Sequence, residues 1–247
     1  QEAIRYNQPN SFVTFLGYEN SLDIPSGHYN FIYNFEDSLT QEIPMLAKNP
    51  LFTIQNFWIK LNQLNQKGKA LSIPHHTGKL FGTSGPDNGA SQFGGSFINK
   101  DYKRVIEIYS GHGLGEYYNP NHNLAYDKLG GRDTKYPCFA QDAWALGERL
   151  GVIASTDSHN GTASQTNVGL AAIIADSLTR NKIFCNLYNR HSYATTGERM
   201  VLKFTIDTAI MGDELSVPAD SFPTIHFSVN GTDVLDFIEV LKWDFKN

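Results

Sequence analysis

Short apolar runs and stretches of helical periodicity alternate along the first two hundred residues. Runs of strand length cover Phe12 to Tyr18, Ala70 to Ile73, Arg104 to Tyr109 and Val152 to Ala154, and each leads into a polar or titratable residue. Val168 to Ala175 shows no period-two alternation, as expected of a strand covered on both faces. Between these runs, Leu51, Ile54, Trp58, Leu61 and Leu64 recur at spacings of three and four. They form one apolar stripe, and Gly68 follows where a helix stop belongs. The same logic predicts helices over Cys138 to Leu150, with Gly151 as terminator, and over Thr179 to Arg190.

Strands that alternate with helices predict a parallel sheet, either a barrel or a doubly wound sheet. From about Met200 the pattern changes. Short β-like runs, Val201 to Ile206, Thr224 to Val229 and Phe237 to Trp243, are broken by Gly212, Pro218, Pro223 and Gly231. Residues 1–199 therefore read as one α/β unit and residues 200–247 as an antiparallel β extension. The stretches Thr83 to Ser96 and Gly111 to Asp133, rich in glycine and polar residues, read as long loops over a site.

Composition narrows the function. A chain of 247 residues can bury a full core and is close to the ~250 typical of a strand–helix barrel. The net charge of -5, with no long single-sign run, argues against duplex nucleic acid as a partner. No stretch nears the roughly 18 apolar residues of a membrane span. The two cysteines, Cys138 and Cys185, are too few for a thiolate metal cluster and read as half-buried free thiols. The chain opens on Gln1, which leaves the compartment open.

The titratable residues fall at the strand ends. Glu19 follows the first run, His75 and His76 follow the second, Glu107 lies late in the third, and Asp157 and His159 follow the fourth. In a parallel α/β fold such ends converge on one rim. Imidazole and carboxylate together suit zinc, manganese or iron. Asp157 and His159 stand two apart, so in extended backbone both side chains point the same way.

Several segments carry a resemblance when taken in order. They are Gly17-Tyr18-Glu19, Gly27-His28-Tyr29-Asn30, Pro74-His75-His76, Glu107 to Gly113, Ser155 to Gly161 and Tyr193 to Arg199. Together they resemble a branch of the PHP (polymerase and histidinol phosphatase) superfamily that has a β extension after its barrel. The resemblance implies a distorted (β/α)7 barrel, two or three divalent metal ions and hydrolysis of a small phosphorylated molecule or a nucleotide. Glu19 then resembles a carboxylate bridging two ions, and His28 and His75 resemble further ligands of the second. Asp157 resembles a ligand of the first ion and His159 of the third, with His76 as the alternative to His75. The family's opening strand with its His-x-His pair, and the Asp-His strand after it, are not found in this sequence. A barrel lacking its first strands, in a piece of a longer protein, is the expectation.

Arg199 is the protein's best candidate for a phosphate contact, with a surface salt bridge as the alternative. Glu107, His112 and Glu116 form a cluster suited either to substrate binding or proton transfer, or to loop-holding hydrogen bonds. His122, His191 and His226 have no such company and read as structural or surface residues. Two other readings stand beside the phosphoesterase. One is a metal hydrolase for acyl or C–N bonds, since the same activated hydroxide serves both. The other is a non-catalytic binding module with a partial metal site.

Overall fold

The computed structural model describes residues 2–22, 26–34, 53–79, 93–125, 137–160 and 168–243. After a single helical turn, α1 (Glu2–Arg5), come β1 (Leu16–Ser21), β2 (His28–Tyr33), α2 (Ile54–Gln63) and β3 (Ala70–Pro74). β4 (Val105–Ser110), β5 (Gly113–Leu114), α3 (Ala140–Ala145) and β6 (Gly151–Ala154) follow. The chain continues through β7 (Leu170–Ile173), α4 (Arg180–Tyr188), β8 (Ser192–Thr195), β9 (Val201–Ile206), β10 (Ala209–Ile210) and β11 (Ile225–Asn230).

The expected (β/α)7 barrel, whole or missing its first strands, is overturned. Among the described residues eleven strands accompany four α-helices, so the chain is mostly β. The strands form four small sheets, ordered β1-β2-β3, β5-β4-β6, β7-β8 and β10-β9-β11, and none of them closes. Among the described strands only β4 and β6 pair in parallel. The reason lies in the links. Ser21 and His28 are register partners in an antiparallel pair, and the link between them is far shorter than the dozen or so residues a parallel crossover needs. β2, which the apolar-run reading passed over, is the middle strand that turns β1 and β3 into a meander.

Packing places these sheets between helices. On β2 the side chains alternate, with Tyr29, Phe31 and Tyr33 facing inward against α2. The α2 stripe of Ile54, Phe57, Trp58 and Leu61 meets them, and Phe31 and Phe57 pack edge to face with ring centroids 4.3 Å apart. Thr53 caps α2 by accepting the Asn56 N–H. The opposite face of β3, through Leu71 and Ile73, packs with Val105, Phe184 and Leu187, which brings α4 against the sheet. β3 is consequently buried at every position, and Ser72, its one polar side chain, accepts from Trp58 Nε1 at 2.9 Å. A third cluster, Ile106, Ala140, Ala143 and Leu150, seats α3 on β4.

α3 is shorter than its pattern predicts. It starts where Asp142 accepts the N–H groups of Cys138 and Phe139, and it stops before Gly147, whose φ of 86° is left-handed. After β11, residues 231–243 form no strand, and Phe237 and Leu241 are exposed, so the Phe237–Trp243 run lacks the pairing its pattern anticipates. Of the two stretches expected to be long loops, Thr83 to Ser96 and Gly111 to Asp133, residues 83–92 and 126–133 lie outside the described residues.

Candidate metal centre

Although the described strands close into no barrel, the chemistry-bearing residues meet. Antiparallel pairing of β1 and β3 with β2 makes β1 and β3 run the same way, so Glu19, near the end of β1, and His75, just past β3, reach the same edge. His28, the first residue of β2, arrives there from the opposite direction. The parallel pair β4 and β6 delivers Glu107, His112 and the Asp157–His159 segment. A hydrogen bond of 3.1 Å from the His76 backbone N–H to Glu107 Oε1 ties the end of β3 to β4.

Glu19 Oε1 lies 3.6 Å from His28 Nδ1 and 3.4 Å from His75 Nε2, and Glu19 Oε2 lies 3.3 Å from His159 Nε2. His75 Nε2 is 3.8 Å from Asp157 Oδ1. Donor atoms about 2.0–2.1 Å from one tetrahedral ion stand roughly 3.4 Å apart, so these separations fit a shared cation better than direct hydrogen bonds. His75 supplies the sharper test. It is fully buried, yet neither of its ring nitrogens makes a hydrogen bond among the described residues. Buried polar atoms are rarely left so, and a metal ion would satisfy the nitrogen that faces Glu19 and Asp157.

Three overlapping donor sets result. They are Glu19 with His28, His75 and His76; His76 with His112 and Asp157; and Glu19 with Asp157 and His159. Glu19 and Asp157 each belong to two sets, and a carboxylate can bridge two cations. A neutral imidazole offers one lone pair, so His76 can serve only one of its two sets.

Electrostatics and backbone agree with this arrangement. The neighbouring imidazoles of His28 and His75 hold the Glu19 carboxyl well below the usual carboxylate range, against a smaller opposing effect of burial. Burial, then the neighbouring charges of His75, His28 and His112, push the His76 imidazole down to about 2, which leaves it neutral and able to ligate. Burial pushes Glu107 up. His76 and Asp157 both have left-handed backbone, with φ of 35° and 54°. Such non-glycine conformations cost about 1–3 kcal/mol and gather at functional sites.

Comparison with known proteins adds relatives without a chemistry. A family described as "Protein of unknown function (DUF3604)" matches residues 163–219, a span that begins after the last of the five anticipated ligands. An uncharacterized protein of Chlamydia pneumoniae is 32% identical over 58% of this chain, a span equal to 25% of that protein. One of Chlamydia trachomatis is 29% identical over 74% of this chain and 30% of its own length. The chain thus spans less than a third of these curated relatives. No solved structure matches it.

All five anticipated ligands, Glu19, His28, His75, Asp157 and His159, lie in this one cluster. His76, held as the alternative to His75, stands beside it there. His112 sits closer to the cluster than its expected part in substrate binding required, with Nε2 2.5 Å from Asp157 Oδ2. Glu107 is buried behind His76, where it accepts the His76 N–H and the Ser155 hydroxyl, so it positions both segments. Glu116 bonds to Gln141 on α3. Arg199 is exposed beyond β8 and makes no ion pair with the cluster among the described residues. Lys79 escaped sequence reasoning. It is buried, with Nζ 2.6 Å from His112 Nδ1, and the turn after His76, closed by Lys79 N–H to His76 O, returns it to the site. A basic residue three positions after a strand-end His pair was the available signal.

Proposed function

We propose that this chain is part of a metal-dependent hydrolase that cleaves a small phosphorylated molecule. The observation that carries the reading is the convergence of Glu19, His28, His76, Asp157 and His159 on the buried His75 imidazole, which makes no hydrogen bond among the described residues. The reading rests on this ligand set and does not require a barrel.

Nitrogen and oxygen donors of this kind suit zinc, manganese or iron. Bound divalent ions would acidify a water and neutralise phosphoryl oxygens. Glu19 and Asp157, each shared by two donor sets, would hold neighbouring ions together. His28 and His159 would fix the two outer flanks, and buried His75 would anchor the centre. Glu107 fixes the backbone of His76 and the Ser155 hydroxyl, so the ligand segments are set before substrate arrives. Lys79, whose Nζ lies beside His112 at the edge of the cluster, would supply a cationic group to a substrate oxyanion bound there. That feature favours a phosphoester over a neutral acyl substrate.

The test is elemental mass spectrometry on protein purified without chelator, paired with hydrolysis of p-nitrophenyl phosphate. Two or three transition ions per chain, lost together with turnover in Glu19→Ala, is the expected result. A metal-free chain that stays metal-free when incubated with zinc or manganese would overturn the proposal. Metal with activity on acyl esters and none on phosphate would refute its substrate class.

A further inference from the structure

We propose that a second site, on the opposite edge of the β4–β6 pair, binds a multiply charged phosphate-bearing small molecule. The metal cluster lies past the C-terminal ends of β4 and β6. The second site lies at their N-terminal ends, roughly 20 Å away along a six-residue strand. A cleft of about 390 Å³ opens there, and its walls include Lys100, Lys103, Arg104, Arg149 and Arg190. Among the described residues that line the cleft, two carboxylates, Glu148 and Glu214, accompany these five cations. The cleft therefore has an excess of three positive charges in a chain whose net charge is -5.

Both carboxylates are already engaged. Glu148 takes Lys103 Nζ at 2.6 Å on one oxygen and the Gly94 N–H at 2.8 Å on the other. Glu214 takes Arg190 Nη2 at 3.0 Å on one oxygen and Arg149 on the other. Among the described residues, Arg104 bonds to backbone carbonyls and stacks on a ring. Its Nε donates to Tyr188 O at 2.8 Å, its Nη1 donates to Lys100 O at 3.0 Å, and its guanidinium stacks on Tyr188 at 5.1 Å. These contacts hold the planar fork rigid without neutralising it. Burial and the facing Arg190 guanidinium disfavour the charge on Arg104, against smaller opposing effects of Tyr188, Glu214 and Asp101, and an incoming anion would relieve that cost.

The geometry selects the ligand class. Fixed guanidinium forks match phosphate oxygens two at a time, and the cleft has the volume of a small-molecule site. It is too small for a polymer groove. Gly212 O accepts from Arg190 Nε at 2.9 Å, so the turn after β10, with Glu214, forms one wall. A ligand here would bridge the β extension to β4 and β6.

Isothermal titration of inorganic pyrophosphate into chelator-treated protein tests the site without the metal cluster. Saturable binding is expected, weakened at least about tenfold in Arg104→Gln and in the surface variant Lys100→Glu, and unchanged in Glu19→Ala. Lys100 is exposed, so its substitution leaves the fold intact if the Arg104 variant does not. Absence of saturable binding would overturn the proposal, as would binding that survives Lys100→Glu but disappears in Glu19→Ala. The second result would place the anion at the metal cluster. Absence of metal with pyrophosphate binding intact would overturn only the hydrolase reading.

Discussion

Asp157 Oδ2 lies 2.5 Å from His112 Nε2 while the other oxygen of the same carboxylate faces His75 at 3.8 Å. One carboxylate, on a residue with φ of 54°, thus links the buried and the open halves of the cluster. Asparagine tolerates left-handed backbone and alanine does not, at a cost of about 1–2 kcal/mol. Asp157→Asn and Asp157→Ala are both expected to lose metal, because each removes the charged donor. Only the alanine variant should also lower folding stability by about 1 kcal/mol relative to the asparagine variant. Denaturant midpoints of the metal-free proteins, set beside metal content, check both parts.

The Lys79–His112 contact predicts a division between binding and turnover. With Lys79 Nζ donating to Nδ1, His112 keeps its proton on Nε2, the nitrogen that faces Asp157. Ligation through Nε2 requires the other tautomer, so Lys79 competes with a cation at the set of His76, His112 and Asp157. Lys79→Met should tighten metal binding several-fold in a competition titration. Hydrolysis of p-nitrophenyl phosphate should fall by at least about tenfold, since one hydrogen bond to charge is worth about 1.5–3 kcal/mol. Loss of metal in this variant would show that Lys79 supports the cluster instead.

Metal-free protein should lose stability on the acid side. The His76 pKa falls from its ordinary 6.5 to about 2 in the fold, so its contribution is fully present above pH 6.5 and is lost as pH falls below that value. Glu19, depressed from 4.5 by His28 and His75, adds a second loss below pH 4.5. Glu107, raised by burial, acts in the opposite sense, since its protonation relieves a cost. The difference between wild type and His76→Gln isolates the first term. That difference should shrink as pH drops through 6.5, and a constant difference would refute the assignment.

Much of this site was legible because it depends on order along the chain. Each of Glu19, His75 and Asp157 follows or closes an apolar run, and local pattern locates such runs. The fold was less legible, because pairing direction depends on links that pattern does not weigh. β2 shows the failure plainly: His28-Tyr29-Asn30-Phe31-Ile32-Tyr33 alternates its aromatic residues cleanly, but its polar members hide it from a search for continuous apolar runs. Strand-end logic still picked out Glu19, His75, Asp157 and His159, which the fold brings together, whereas His28, at the start of β2, came only through the resemblance. Residues at the ends of β1 and β3 share an edge whether the strand between them runs parallel or antiparallel. The buried place of Glu107 and the return of Lys79 depend on tertiary contacts, and no periodicity encodes them.

Gly169 offers a test of how tightly the cluster is mounted. It sits just before β7, and a Cβ placed there would stand 2.5 Å from Ser155 O and 2.7 Å from both Ser155 N and Ala154 Cβ. Those atoms belong to the segment that leads from β6 into Asp157. Gly169→Ala must therefore push the Ser155 backbone, and overpacking of this kind costs about 1–3 kcal/mol. The displacement should pass to Asp157 and His159 and leave Glu19, His28 and His75 in place, because those three are held by the β1-β2-β3 meander. Metal titration of Gly169→Ala should show the ions dependent on Asp157 weakened and the one held by Glu19, His28 and His75 retained. Equal weakening of all ions would mean that the two halves of the cluster are one rigid unit.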